Sequence, residues 1–272
     1  ASAALFADDT PVKLQTKGKG KTATARMWVY ARDERPWSGD AAPAAWYRFT
    51  PDRKGEHPVD HLKGYKGHVH ADGYAGFNGL FGTGKATEVA CLAHIRRKFV
   101  DVHQSTGAAI AEEAIRRIAE LYAVESEGRG QPPDTRATLR QKRARAVLDE
   151  LEEWLAVQKR GISGKTPLAA AIRYALSRIP KLRPYLGDGR LEPDNNTAER
   201  AMRPIALGRK NYLFMGSPAG GKAAAIAYTL IETAKMNGVD PQAWLTHVIN
   251  TIADHTVSQL DDLMPWNFRP TA

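Results

Sequence analysis

Three acids stand out by their surroundings. Asp8 lies in ADDTPV, Asp72 in HADGY and Glu199 in DNNTAER. The first two fall in β-favouring stretches and the third in the opening turns of a helix. Carboxylates suit hard divalent cations, and Mg2+ takes only a few of them, leaving positions for phosphate and water. Two such ions about 4 Å apart clamp the attacking and leaving oxygens of a phosphodiester exchange. A carboxylate on each of two neighbouring strands, with one on a facing helix, would converge on that chemistry. The separations of 64 and 127 residues carry no information alone, and any one acid could equally be a surface or capping group. Asp194 is the plainest capping candidate.

Other constellations are weaker. His68, His70 and Asp72 alternate and so would share a strand face. With Cys91 and His94 they could be read as a zinc site. The single thiol, and no close pairing beyond Cys-Leu-Ala-His, favour packing or phosphate-binding roles instead, with His94 nearest to a site. The stretch GSPAGGKA at 216–223 follows the phosphate-loop pattern G-x-x-x-x-G-K, but Ala223 stands where a hydroxyl must reach Mg2+. A turn whose Lys222 touches DNA phosphate is the better reading.

Basic residues bracket the acids. Residues 10–31 hold Lys13, Lys17, Lys19, Lys21 and Arg26 and no acid; residues 201–222 hold Arg203, Arg209, Lys210 and Lys222 and again none. Such stretches suit phosphate contacts. Arg200 and Arg203 lie one turn apart on the helix of Glu199 and are the best candidates, salt bridges to neighbouring acids being the alternative. Trp37, Trp46 and Tyr212 could stack on unpaired bases or fill the core.

The elements that must position these groups are legible in outline. A strand over 3–14, interrupted near Pro11, a lysine-rich turn at 17–21, and strands over 26–33 and 45–50 suggest an antiparallel meander. A short helix over 59–66, a strand over 67–74 and a buried strand over 86–93 follow, then a helix carrying His94, Arg96, Arg97 and Lys98. Residues 108–186 read as all-helical, with a Pro/Gly break at 128–133 and a third helix over 167–179. The arginines of that block read as phosphate contacts or as an ordinary solvated face. A helix opens at 194–203, followed by an apolar run at 211–215, a loop at 216–221, helices over 223–237 and 242–253, and an extended tail at 263–267 that packs its Trp.

Composition sets the outer bounds. The chain has 272 residues, 43% hydrophobic and 25% charged, which is globular and not disordered. That length allows one large domain or two small ones. No apolar run approaches a bilayer span and no secretion signal is visible. The single cysteine, Cys91, excludes a disulfide scaffold, so a cytoplasmic setting is expected. A net charge of +9 favours a polyanionic partner. The chain starts at Ala1, without Met and reading as mid-domain, so a fragment is expected.

The strings ADDTPV, HADGYAGF, CLAHIRRKF, LEPDNNTAERAMRP, LGRKNYLFMGSPAGG, ETAKMNGVDPQAWL and DLMPWNF occur in this order over nearly the whole chain. Together they resemble the catalytic region and tail of the bacterial DDE transposases of the insertion sequence 66 family. The resemblance implies an α/β, ribonuclease-H-like mixed sheet flanked by helices, with an all-helical insertion before the last catalytic acid. The core would occupy 1–107 and 191–254, the insertion 108–190 and a C-terminal tail 255–272. It implies that Asp8, Asp72 and Glu199 are catalytic and bind two Mg2+ (or Mn2+) ions. Where this chain has Asp9, the family usually has Glu; regular alternation turns Asp9 to the opposite face, making it the weaker ligand. DNA would be held by Arg200, Arg203, Arg209, Lys210, Lys222, His94 and Arg97. The implied activity is DNA cleavage at transposon ends and strand transfer into target DNA, by a homodimer or higher oligomer on DNA. Family members carry an upstream zinc- and DNA-binding region that this sequence does not contain. Two further readings stay open: a non-catalytic DNA-binding remnant, and a ribonuclease-H-like nuclease without strand transfer.

Overall fold

The structure, a computed structural model, describes residues 2–16, 18 and 20–269. Lys17 and Lys19 of the first basic stretch lie outside the described residues, as do residue 1 of the expected core and residues 270–272 of the expected tail.

Five strands are hydrogen-bonded in the order β3-β2-β1-β4-β5. β1 spans Ala4–Thr16, β2 Lys21–Arg32 and β3 Ala44–Thr50. β4 (Gly67–Ala71) pairs in parallel with β1 through Ala4↔His68, Leu5↔Val69 and Phe6↔His70. β5 (Ala86–Ala90) adds a second parallel pair, and β2 and β3 run antiparallel with Val29 opposite Tyr47. The sheet is therefore mixed.

β1 is not interrupted at Pro11. Lys13 and Gln15 exchange backbone bonds with Met215, at 2.7 and 2.8 Å, and the Pro11 carbonyl accepts from Arg209 Nη1 at 2.8 Å. All three have the same parity, so Pro11's missing N–H falls on the edge where β4 pairing has already ended at Phe6. No ladder bond is lost there.

The helices are α1 Glu56–His61, α2 Asn78–Phe81, α3 Leu92–Thr106, α4 Ala109–Gly128, α5 Pro133–Leu139, α6 Arg145–Arg160, α7 Pro167–Leu182, α8 Pro184–Gly187, α9 Asn196–Gly208, α10 Pro218–Met236 and α11 Pro241–Thr251. A π-helical stretch, Arg140–Ala144, joins α5 to α6.

The chain forms two compact units. The first comprises Ala1–Phe6, Glu34–Gly39 and Pro58–Asn196. Its core runs from Val89 and Leu92 through Ile95, Phe99, Ile118, Leu121, Leu148, Leu151, Ile172 and Ile179. Those positions recur at helical spacing on α3, α4, α6 and α7, so one apolar stripe from each helix closes on the others. Trp37 is also buried there. The arginines of the helical block divide into two kinds. Arg116, Arg117 and Arg183 form solvated ion pairs. Arg136 and Arg140, by contrast, are 2% and 1% exposed, which is neither a phosphate contact nor a solvated face.

The second unit comprises Ala7–Asp33, Asp40–His57 and Thr197–Ala272. Here α10 covers the outer edge of β3. Thr233 Oγ1 accepts from Ala45 N–H at 3.2 Å, and Thr229 Oγ1 from Tyr47 N–H at 2.9 Å. An edge strand's unpaired donors are thus satisfied by helix side chains. Gly221 permits the approach: a Cβ there would lie 2.6 Å from the Phe49 ring.

Two expectations fail in this unit. The loop expected at 216–221 is largely helix, because Ser217 caps α10 by accepting from Gly220 N–H at 3.0 Å and Pro218 occupies the first turn. The tail is not extended but forms 3-10 turns over Val257–Leu263 and Pro265–Asn267. Trp244 Nε1 donates to the Leu263 carbonyl at 2.8 Å, and Trp266 is half-buried, 5.8 Å under the Arg32 guanidinium.

Candidate functional site

The two aspartates of ADDTPV have different environments. Asp9 is gripped by Arg53 through three hydrogen bonds of 2.7–3.0 Å and by Arg26 at 3.2 Å, with its side chain 2% exposed. Its charge is already used inside the protein. Asp8 is half-buried, and its Oδ1 accepts from Asp9 N–H at 2.8 Å.

In the same unit, Glu199 is half-buried in the first turn of α9. Tyr47 fastens this helix to β3 by donating its hydroxyl to the Ala201 carbonyl at 2.5 Å, and burial pushes the Tyr47 phenol above its ordinary range. Arg200 is exposed and its Nη2 donates to Thr197 Oγ1 at 3.2 Å; Arg203 is exposed. Among the described residues neither pairs with an acid, so the salt-bridge alternative is not seen. Arg209 is half-buried on Pro11, while Lys210 and Lys222 are exposed. Lys222 edges a groove of about 330 Å³ beside Trp46 and Ile226, and Tyr212 is 37% exposed. Arg26 is half-buried and bound to Asp9.

The capped start of α10 also disposes of the phosphate-loop reading. Gly220 N–H is taken by Ser217 Oγ and Gly221 N–H by the Ser217 carbonyl, at 3.0 Å each. A phosphate cradle would need such N–H groups turned to the ligand.

In the first unit, Asp72 is half-buried one residue past β4 and its Oδ1 accepts from Tyr74 N–H at 2.9 Å. Gly73 takes φ +91°, a conformation that glycine adopts without strain. His70 is fully buried, stacked on Phe6 at 4.3 Å. Its Nδ1 donates to the Leu5 carbonyl at 3.1 Å and its Nε2 accepts from Glu192 N–H at 3.0 Å. That fixes a neutral imidazole with both nitrogens occupied, so His70 does not ligate metal. Burial pushes its pKa down to about 4, the carbonyl bond only partly opposing this.

The segment before α9 is tied down in this unit as well. Leu92 N–H donates to the Pro193 carbonyl at 2.8 Å, and Cys91 Sγ accepts from Asn195 N–H at 3.2 Å. Asp194 caps as expected, accepting from Asn196 N–H at 3.0 Å. His94 is half-buried and Arg97 exposed on α3.

A buried charge network supports this segment. Glu125 holds Arg140 at 2.6 Å and Arg136 at 3.3 Å, Arg136 also holds Glu192 at 2.5 Å, and Arg140 donates to the Tyr185 carbonyl at 2.9 Å. The reading from residues missed this network. The available signal was Glu125 continuing the apolar stripe Ala111–Ala114–Ile118–Leu121 of α4 at helical spacing.

This is a mixed α/β protein in which a long run of helices separates the strands from the helix bearing the last acid. The model of the Transposase IS66 family matches residues 1–223, and that of the IS66 C-terminal element residues 229–266, so the chain belongs to this transposase family. Three proteins of Sinorhizobium fredii (strain NBRC 101917 / NGR234), each described as uncharacterized, are similar. y4qI is 42% identical over 98% of this chain and 51% of its own length; y4hP is 38% identical over 99% and 51%; y4jD is 38% identical over 97% and 53%. The chain thus spans about half the length of these relatives. No solved structure matches it. Among the described residues no helix is long and apolar enough to cross a membrane.

Proposed function

We propose that this chain carries the phosphodiester chemistry of transposition, with Asp8, Asp72 and Glu199 as the catalytic carboxylates that hold two Mg2+ or Mn2+ ions. The strand register is the observation that carries the reading. His68, paired with Ala4, is 64 residues further along the chain, and so is Asp72 from Asp8. Asp8 lies two residues after Phe6 on β1 and shares its face by period-2 alternation; Asp72 comes two residues after His70, one past the end of β4. The donor chemistry fits hard cations: all three are half-buried carboxylates, and among the described residues no Lys or Arg pairs with Asp72. Bound cations would supply an activated water and neutralise charge building on the phosphate.

The remaining work falls to the chain's own groups. Arg200, Arg203, Arg209, Lys210, Lys222, His94 and Arg97 would meet the DNA backbone. Asp9, by accepting Arg53 and Arg26, keeps β1 in place without competing for cation. In strand transfer a freed 3′-OH would attack a target phosphodiester, and the target's 3′ oxygen would leave. The ribonuclease-H-like core at 1–107 and 191–254, the insertion at 108–190 and the tail at 255–272 remain the proposed organisation. A homodimer or higher oligomer on DNA in the cytoplasm is the proposed setting.

The test supplies transposon-end DNA and target DNA with Mn2+ and looks for nicked and joined products. Products that vanish in Glu199→Gln and with chelator are expected. Nicking without joining would leave only a nuclease. DNA binding with steep salt dependence and no cleavage would favour the remnant.

A further inference from the structure

The turn that carries Asp72 is held from outside the sheet. Tyr174 and Arg178 lie one turn apart on α7, within the helical block. Tyr174 donates its hydroxyl to the Asp72 carbonyl at 3.1 Å. Arg178 packs on the next residue: a Cβ added at Gly73 would sit 2.8 Å from the centre of its guanidinium. An arginine tip is normally free to swing aside, but this one is largely buried and bonded to Glu88 on β5. Lys181 holds the other Glu88 oxygen at 2.6 Å, so the carboxylate is fixed from two sides. The turn itself is unusual backbone, with Gly73 at φ +91° and the Asp72 carboxylate folded onto Tyr74 N–H.

We propose that α7 sets the aim of the Asp72 carboxylate, with Tyr174 and Arg178 as positioning residues for cation binding. This gives the helical block a direct part in the chemistry, and it rests on the reading of Asp72 as a cation ligand. A hydrogen bond to the ligand's own carbonyl and a guanidinium packed against the following glycine restrict the turn that aims the side chain. Losing a group that orients a metal ligand typically lowers metal affinity by about 10- to 100-fold.

The experiment titrates Mn2+ alone into the full chain and into Tyr174→Phe, Arg178→Lys and Asp72→Asn, with a thermal melt of each. Tyr174→Phe removes one hydroxyl and leaves the ring packed. It is expected to weaken Mn2+ binding by about tenfold, the low end for orienting groups, with the melting temperature nearly unchanged. Arg178→Lys keeps the charge but loses the planar wedge and is expected to weaken Mn2+ binding similarly. Parental Mn2+ affinity in both variants, while Asp72→Asn abolishes binding, would overturn the positioning role and leave Asp72 as ligand. Parental affinity in Asp72→Asn would overturn the reading of Asp72 itself, and the proposal with it.

Discussion

Two adjacent aspartates on β1 do different work. Asp9 is enclosed by Arg53 and Arg26, and Asp8 is the acid assigned to cation. Asp9→Ala should therefore cost about 1–3 kcal/mol of stability by removing the carboxylate that two half-buried guanidiniums share, read in urea unfolding. His70 gives a second prediction at this scale. The folded protein holds it neutral with a pKa of about 4, whereas an unfolded imidazole titrates near 6.5. Between those values the unfolded chain binds more protons, so stability must fall as pH drops through that window, by up to about 3 kcal/mol. Urea unfolding at pH 7 and pH 5 should show the loss, and His70→Gln should flatten it.

At the scale of elements, the strands and most helices were legible because their apolar periodicity is strong: Ile118 and Leu121, then Leu148 and Leu151, sit where helical spacing puts them. The departures were tertiary. Pro11 reads as a strand breaker until the idle side of β1 is known, and Pro218 reads as loop until Ser217 is seen capping it. Arg136 and Arg140 read as surface charge because their partners, Glu125 and Glu192, come from distant segments. Of the candidate site, the motifs supply the proposed acids and bases, while the occupation of Asp9 and of both nitrogens of His70 was not legible in them. The network makes a prediction for its elements. Glu125→Ala would leave two buried guanidiniums without their shared carboxylate and should cost about 3–5 kcal/mol, measured by denaturant unfolding. Replacing solvated Glu113, which pairs with Arg116 and Arg117, should leave the denaturant midpoint nearly unchanged.

At the scale of the molecule, family membership and the +9 charge agree on DNA as the partner of the proposed activity. Arg26, Arg53, Arg136 and Arg140 pair with acids of the chain itself and so add nothing to that net charge. Residues 201–222 hold four basic residues and no acid, so Arg200→Ala with Arg203→Ala should weaken DNA binding across sequences and reduce the salt slope by about 2. The central claim is that three carboxylates from β1, the end of β4 and α9 form one cation site. Isothermal titration of Mn2+ into the parent chain and into Asp8→Asn, Asp72→Asn and Glu199→Gln tests it most directly. Saturable binding in the parent, lost or sharply weakened in each variant with folding intact, is the predicted result; parental affinity in all three variants would contradict it.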